Sequence, residues 1–267
     1  MKYLKVTTPL AVLSLLLACS PEGSRPDTAP LANLEEKLNE LKKAKGFDGR
    51  EEILDYRLDT IAGDEVVFTI HTTDEALSKK AVELAKAEGF PKSEILTLPI
   101  DAQLLATPYG VVSQSVANMR VGQGRSTGMA TQTLMGQQME LLEVDDEGFW
   151  HRVRTAQGYI AWIPKPSFEY LTQDQADSLR ALPKVMVTAT TTFAYEVDNT
   201  NRVVKDLVIG NVLTLVTAGS PYTEVMIPGG RSALVKSSEV TPLEQWQQQT
   251  QFDPKHLVDF AYNFNGQ

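Results

Sequence analysis

Leu134-Met135-Gly136-Gln137-Gln138-Met139-Glu140-Leu141-Leu142-Glu143 is followed by a turn, by Phe149-Trp150-His151-Arg152-Val153-Arg154-Thr155, by a second turn, and by Gly158-Tyr159-Ile160-Ala161-Trp162-Ile163. The same order returns as Val208-Ile209-Gly210-Asn211-Val212-Leu213-Thr214-Leu215-Val216, Tyr222-Thr223-Glu224-Val225-Met226-Ile227 and Gly229-Gly230-Arg231-Ser232-Ala233-Leu234-Val235. Gly210 follows Gly136 by 74 residues, whereas Val225 follows Val153, Gly230 follows Gly158 and Val235 follows Ile163 by 72 each. One offset kept at three positions, with a two-residue slip in an intervening turn, is an internal duplication. Apolar and polar residues alternate at period two within each copy, the pattern of half-buried strands in a small barrel. The two copies are expected at 105–170 and 183–243.

Outward from the duplication, the preceding segment has a different texture. Leu34, Leu38 and Leu41 recur at helical spacing and the pattern stops near Gly46. Ile53–Ile61 and Glu65–Ile70 read as two strands joined through Gly63-Asp64. Asp74 caps a helix with apolar Ala76, Leu77, Ala81, Leu84 and Ala85, ending at Gly89, and Ile95–Leu98 makes a third strand. Residues 31–100 are thus a small α/β domain, with His71 expected at the surface or at a cap. The fold class is mainly β with an α/β N-terminal segment.

Both copies resemble bacterial SH3-like domains, in which the turn glycine, the aromatic-x-x-Val strand and a closing Gly-Tyr-x-x-Trp strand recur, so two tandem SH3-like small β-barrels are expected. Asn118-Met119-Arg120 with Thr131-Gln132-Thr133-Leu134-Met135-Gly136 is similar to the opening of the first such domain in a group of NlpC-type cell-wall cysteine peptidases. Those are γ-D-glutamyl-L-diamino acid endopeptidases (dipeptidyl-peptidases), which cut the stem peptide of peptidoglycan. Their layout is an N-terminal segment, two SH3-like domains and a papain-like catalytic domain. The resemblance implies peptidoglycan stem peptide as partner. It also implies a pocket for that peptide's free amine, built from the first barrel's long loop and an aromatic of its closing strand. The matching positions are Gly128 and Trp162, with Tyr159 nearby. Gly128 stands where the family pattern commonly has an acidic residue, so the usual partner for an ammonium is absent at that position. Barrel packing is the competing reading for Tyr159 and Trp162.

The amino end carries an address. Lys2 and Lys5 precede an apolar run ending at Leu16-Leu17-Ala18-Cys19, which resembles the lipobox of a bacterial lipoprotein signal. Residues 1–18 are then a signal peptide, Cys19 is the lipidation site and residues 19–30 are a tether. The expected localisation is the bacterial cell envelope, membrane-anchored and periplasmic or surface-facing. At the other end Asp253-Pro254 starts a helix with Leu257, Phe260, Ala261 and Phe264 on one face. Residues 250–267 resemble the opening helix of the family's catalytic domain, and Leu257, Phe260 and Phe264 are candidate interdomain docking residues.

Chemistry is sparse between these ends. Among 267 residues there are 34 acidic and 25 basic side chains, a formal charge of −9, one cysteine and three histidines. The acidic balance without a basic cluster argues against nucleic acid as partner. One cysteine and scattered His71, His151 and His256 supply no multi-ligand metal site, and no cofactor is expected. Cys19 is consumed by lipidation, so no catalytic residue is assigned. Gly122–Gly128 lacks the lysine and the strand-to-helix context of a phosphate loop and reads as a barrel loop. Alternation places His151 on the face opposite Trp150 and Arg152. Two function classes stay open. One is the substrate-gating front half of a truncated or split NlpC-type endopeptidase, completed by a catalytic domain encoded downstream or docking in trans. The other is a stand-alone binding or scaffold lipoprotein with no enzymatic partner.

Overall fold

The computed structural model describes residues 29–61 and 65–249, together with Lys255, Val258 and Ala261. Cys19, Leu257, Phe260 and Phe264 lie outside the described residues. Two compact units are present: the first ends at Leu105 and also takes in Gln157–Ile160, and the second comprises Ala106–Ala156 and the chain from Ala161 on.

In the first unit, helix α1 (Ala29–Lys45) starts with Pro30 in its first turn, where a missing N–H costs nothing. Strands β1 (Leu54–Ile61) and β2 (Glu65–Thr72) pair antiparallel from Leu54 opposite Thr72 to Ile61 opposite Glu65. Helix α2 (Glu75–Ala87) crosses over to β3 (Ser93–Thr97), which runs parallel to β2. The core joins Leu34 and Leu38 of α1, Leu54, Phe68 and Ile70 of the sheet, and Leu77, Ala81 and Ala85 of α2. Asp74 caps α2 by accepting from the Leu77 N–H at 2.9 Å. The Lys45 ammonium, and then that N–H, hold its carboxyl below the usual carboxylate range. His71, expected at the surface, is buried in β2. His71 lies on the central strand, between Asp55 of β1 and Leu96 of β3, on the face opposite Phe68 and Ile70.

After α3 (Ala102–Ala106) come the strands of the second unit. They are β4 (Tyr109–Val112), β5 (Val116–Arg120), β6 (Met129–Leu134), β7 (Gln138–Val144), β8 (Trp150–Thr155), β9 (Ile160–Pro164) and β10 (Phe168–Leu171). Their order in the sheet is β10-β4-β7-β8-β9-β5-β6. The later set is β11 (Lys184–Val187), β12 (Thr191–Tyr195), β13 (Val203–Val208), β14 (Val212–Thr217), β15 (Tyr222–Ile227), β16 (Arg231–Lys236) and β17 (Val240–Pro242). Read from its β17 end, that sheet is β17-β11-β14-β15-β16-β12-β13, the same order with seven added to every strand. The bulges repeat as well, at Met119/Arg120 and Ala194/Tyr195, and at Leu141/Glu143 and Leu215/Thr217. Each copy has a 3-10 turn before its last strand, at Lys165–Ser167 and Ser237–Glu239. The duplication read from sequence is therefore a duplication of topology, with one refinement: each sheet has two free ends and does not close into a barrel.

Two helices follow the copies at equivalent places, α4 (Gln173–Ala181) after β10 and α5 (Leu243–Gln249) after β17. Thr172 and Gln175 form a capping box on α4, each side chain bonded to the other's backbone N–H. Sequence reasoning passed over this helix although Thr-x-x-Gln announces it. α5 begins at Leu243, directly after β17, and packs on β11 and β17.

The copies join through the turn each has at its shared glycine. Met135 is fully buried, and its side chain belongs to the core of the second copy, with Val187, Leu207, Leu213 and Val235. Its carbonyl accepts from Val212 N at 3.0 Å, and the buried Asn211 amide donates to Ser115 O at 2.8 Å. Gly136 has φ +86°, and a Cβ there would overlap the Val212 carbonyl oxygen. Only glycine allows both this backbone conformation and this approach.

Candidate functional site

The first copy's outer face is organised by cross-strand register. Arg120 at the end of β5 stands directly opposite Trp162 of β9, which puts both side chains on one face. Arg152 of β8 lays its guanidinium over the indole, 5.7 Å from the ring centroid, within cation–π reach. Arg152 also reaches Glu143, its register partner on β7, at 3.5 Å. Trp162 is 8% exposed, so the indole offers an edge rather than a stacking platform. Arg154 pairs with Glu140 at 2.9 Å on the same pair of strands.

The loop between β5 and β6 closes this face on one side. Arg120 Nη1 donates to Thr127 O at 2.6 Å, and the Thr127 hydroxyl lies 2.9 Å from Gly122 O and 2.8 Å from Gly124 O. Val121 N donates to Gly128 O at 3.0 Å where β5 and β6 meet. The loop is thus folded on itself by one threonine and one arginine. Gly128 is exposed between two exposed apolar side chains, Val121 at 67% and Met129 at 61%. A Cβ at Gly128 would meet only Val121 Cγ2, at an ordinary 3.7 Å. The position has room for a side chain and carries none.

Of the three residues singled out from sequence, the structure groups Gly128 and Trp162 with the second unit. Tyr159, half-buried, is grouped with the first. The two arginines around Trp162 were not singled out; the signal that would have found them is their place opposite or beside Trp162 in the strand register. His151 is fully buried, with Nε2 2.6 Å from the Tyr170 hydroxyl and edge-on to Phe168 and Tyr170. Its strand neighbour Trp150 is buried too. Among the described residues no set of three His, Cys, Asp or Glu side chains converges to hold a metal ion. What this face can do chemically is bind: guanidinium groups for carboxylates, an indole edge and two apolar side chains for a hydrocarbon stem.

Residues 119–167, which span the strands of this face, match the bacterial dipeptidyl-peptidase Sh3 domain. The first copy is thus an SH3-like domain of the bacterial dipeptidyl-peptidase kind. Solved structures similar to it include an NlpC/P60 family protein from Bacillus cereus ATCC 10987, at 20% identity over 50% of this chain and 55% of that one, with a TM-score of 0.42. Another is an NlpC/P60 endopeptidase from Photobacterium damselae subsp. piscicida, at 12% identity over 84% of this chain and 49% of that one, with a TM-score of 0.40. The chain spans about half the length of each. Among curated proteins none matches it. Within the chain, the matched SH3-like domain is the one that carries Arg120, Arg152 and Trp162.

Proposed function

We propose that this chain is a cell-envelope protein whose first SH3-like domain binds peptidoglycan stem peptide and positions it for an NlpC-type cysteine peptidase domain. The observation that carries the reading is the match of residues 119–167 to the dipeptidyl-peptidase Sh3 domain, over the strands that set Arg120 and Arg152 about Trp162. A stem peptide built from L-alanine, γ-linked D-glutamate and a diamino acid presents carboxylates along its length. Guanidinium groups on a partly covered face suit them, each charge-assisted hydrogen bond contributing about 1.5–3 kcal/mol where water is excluded. Gly128 supplies no carboxylate for the peptide's amine, so in this chain recognition rests on the peptide's acidic groups. The domain narrows substrate choice by walling one end of a cleft. Cys19, lipidated, anchors the protein to a membrane of the envelope.

Titration calorimetry of the full chain with the tripeptide L-Ala-γ-D-Glu-diamino acid tests the binding claim. Saturable binding is expected, and no heat at millimolar peptide would sink it. Membrane fractionation of Cys19→Ala tests the anchor: the variant is expected in the soluble fraction, and unchanged membrane association would refute lipidation at that residue. Hydrolysis of the same tripeptide is expected only when an NlpC-type catalytic domain is mixed with the chain; cleavage by the chain alone would contradict the assignment of a positioning role.

A further inference from the structure

A groove lies where α4 connects the two sheets of the duplicated unit. The groove there has a volume of about 550 Å3 and is walled by α4, β10, the start of β11 and the β15–β16 turn. That volume is in the range of small-ligand sites. Its floor is apolar, with Leu171, Leu179, Met226 and Ile227. Its charges are few and separated by sign. Glu169 and Asp174 line the end where β10 enters α4, and Lys184 lines the other, where α4 ends.

Lys184 is held rather than free to swing. Its ammonium donates to the carbonyl of Leu179 and, at 3.0 Å, to that of Leu182. Burial holds its pKa below the usual lysine range. An ammonium bonded to two carbonyls keeps one N–H to offer. Glu169 and Asp174 are exposed, and none of the three charges is in an ion pair among the described residues. The other charged pair on α4, Asp177 with Arg180, is satisfied internally.

We infer that this groove binds a short zwitterionic peptide, its ammonium at Glu169 and Asp174 and its terminal carboxylate at Lys184. The lengths agree. From Asp174 to Leu182 the chain advances about 12 Å along the helix at 1.5 Å per residue. An extended tripeptide spans about 10 Å between its charged ends, at 3.3–3.6 Å per residue. The apolar floor accepts side chains between the two ends, and the sign of the charges fixes the direction of the peptide along α4. The site goes beyond the reading given above and shares no residue with the Arg120–Arg152–Trp162 face, so either can fail without the other.

The test uses the full chain and an alanine–leucine–alanine tripeptide, which has neither γ-glutamate nor a diamino acid. Affinity is measured by NMR titration for the free peptide, its N-acetyl form and its C-terminal amide. Binding is expected for the free peptide, and at least about tenfold weakening for each blocked form, one lost charge-assisted contact being worth that much. Lys184→Gln and Glu169→Gln are expected to weaken the free peptide while leaving the matching blocked form little changed. Should Lys184→Gln fail to fold, the exposed Glu169→Gln and the blocked peptides decide. No binding, equal affinity for free and blocked peptides, or unaltered affinity in the folded variants would overturn the inference.

Discussion

The two SH3-like copies share strand order, bulges and turn glycines, and differ in the side chains of one face. In the first copy the outer face holds Arg152, Trp162 and Arg120. At the equivalent places the second holds Glu224, Leu234 and Tyr195, with Leu234 opposite both of the others in register. Glu143, which meets Arg152, is replaced by Thr217, which stands opposite Glu224. A cationic face around an indole has become an acidic face around a leucine. Backbone topology is fixed by turns and apolar alternation, which both copies keep. Ligand chemistry is carried by the outward residues, which topology leaves free to change.

The asymmetry extends inward, and the strongest test of it lies at the paired glycines. Gly136→Ala is expected to destabilise the second unit by roughly 3–5 kcal/mol, since a left-handed conformation and a backbone overlap are both violated. Gly210→Ala, at φ +85° but facing only the Leu134 Cδ1 methyl at 2.9 Å, should cost about 1–2 kcal/mol. Urea unfolding checks both, and equal losses would show that the Gly136–Val212 approach is not a constraint. Next comes Met135, buried in the other copy's core, whose equivalent Ile209 is only half-buried. Met135→Ala should lose about 2–5 kcal/mol and Ile209→Ala under about 2 kcal/mol. The reverse order would mean that the copies are joined the other way round.

A smaller difference concerns the buried polar pairs. The first copy has His151 bonded to Tyr170; where His151 stands, the second has Thr223, 3.0 Å from the Ser237 hydroxyl. Tyr170→Phe deprives the fully buried imidazole of a partner and should cost about 1–3 kcal/mol. Thr223→Val, at a pair nearer the surface, should cost about 0.5–1.5 kcal/mol. Thermal unfolding reads both, and a larger effect at Thr223 would contradict the account of the first copy's core.

Much of this architecture is legible in the chain itself, because alternation, turn glycines and a repeated offset are local signals. The helix caps at Asp74 and Thr172 are local too, although the second was passed over. What is not legible depends on partners distant in sequence. Nothing around Met135-Gly136-Gln137 shows that Met135 fills a neighbour's core or that Val212 sits against Gly136. His71 looks exposed in its strand and is buried, and His151 is enclosed by Phe168 and Tyr170 from a later strand. Of the candidate site, Trp162 could be singled out through a resemblance. Its burial under Arg152 and its register with Arg120 arise only once three strands are side by side.

The central claim is that stem peptide is bound by the first copy's outer face and not by the equivalent face of the second. The most direct measurement is the affinity of the full chain for L-Ala-γ-D-Glu-diamino acid peptide in two exchanges between the copies, Arg152→Glu and Glu224→Arg. The account predicts at least about tenfold loss for Arg152→Glu, one charge-assisted contact removed and a like charge added, with Glu224→Arg close to the parent protein. Unchanged affinity in a folded Arg152→Glu, or an equal loss in Glu224→Arg, would contradict it.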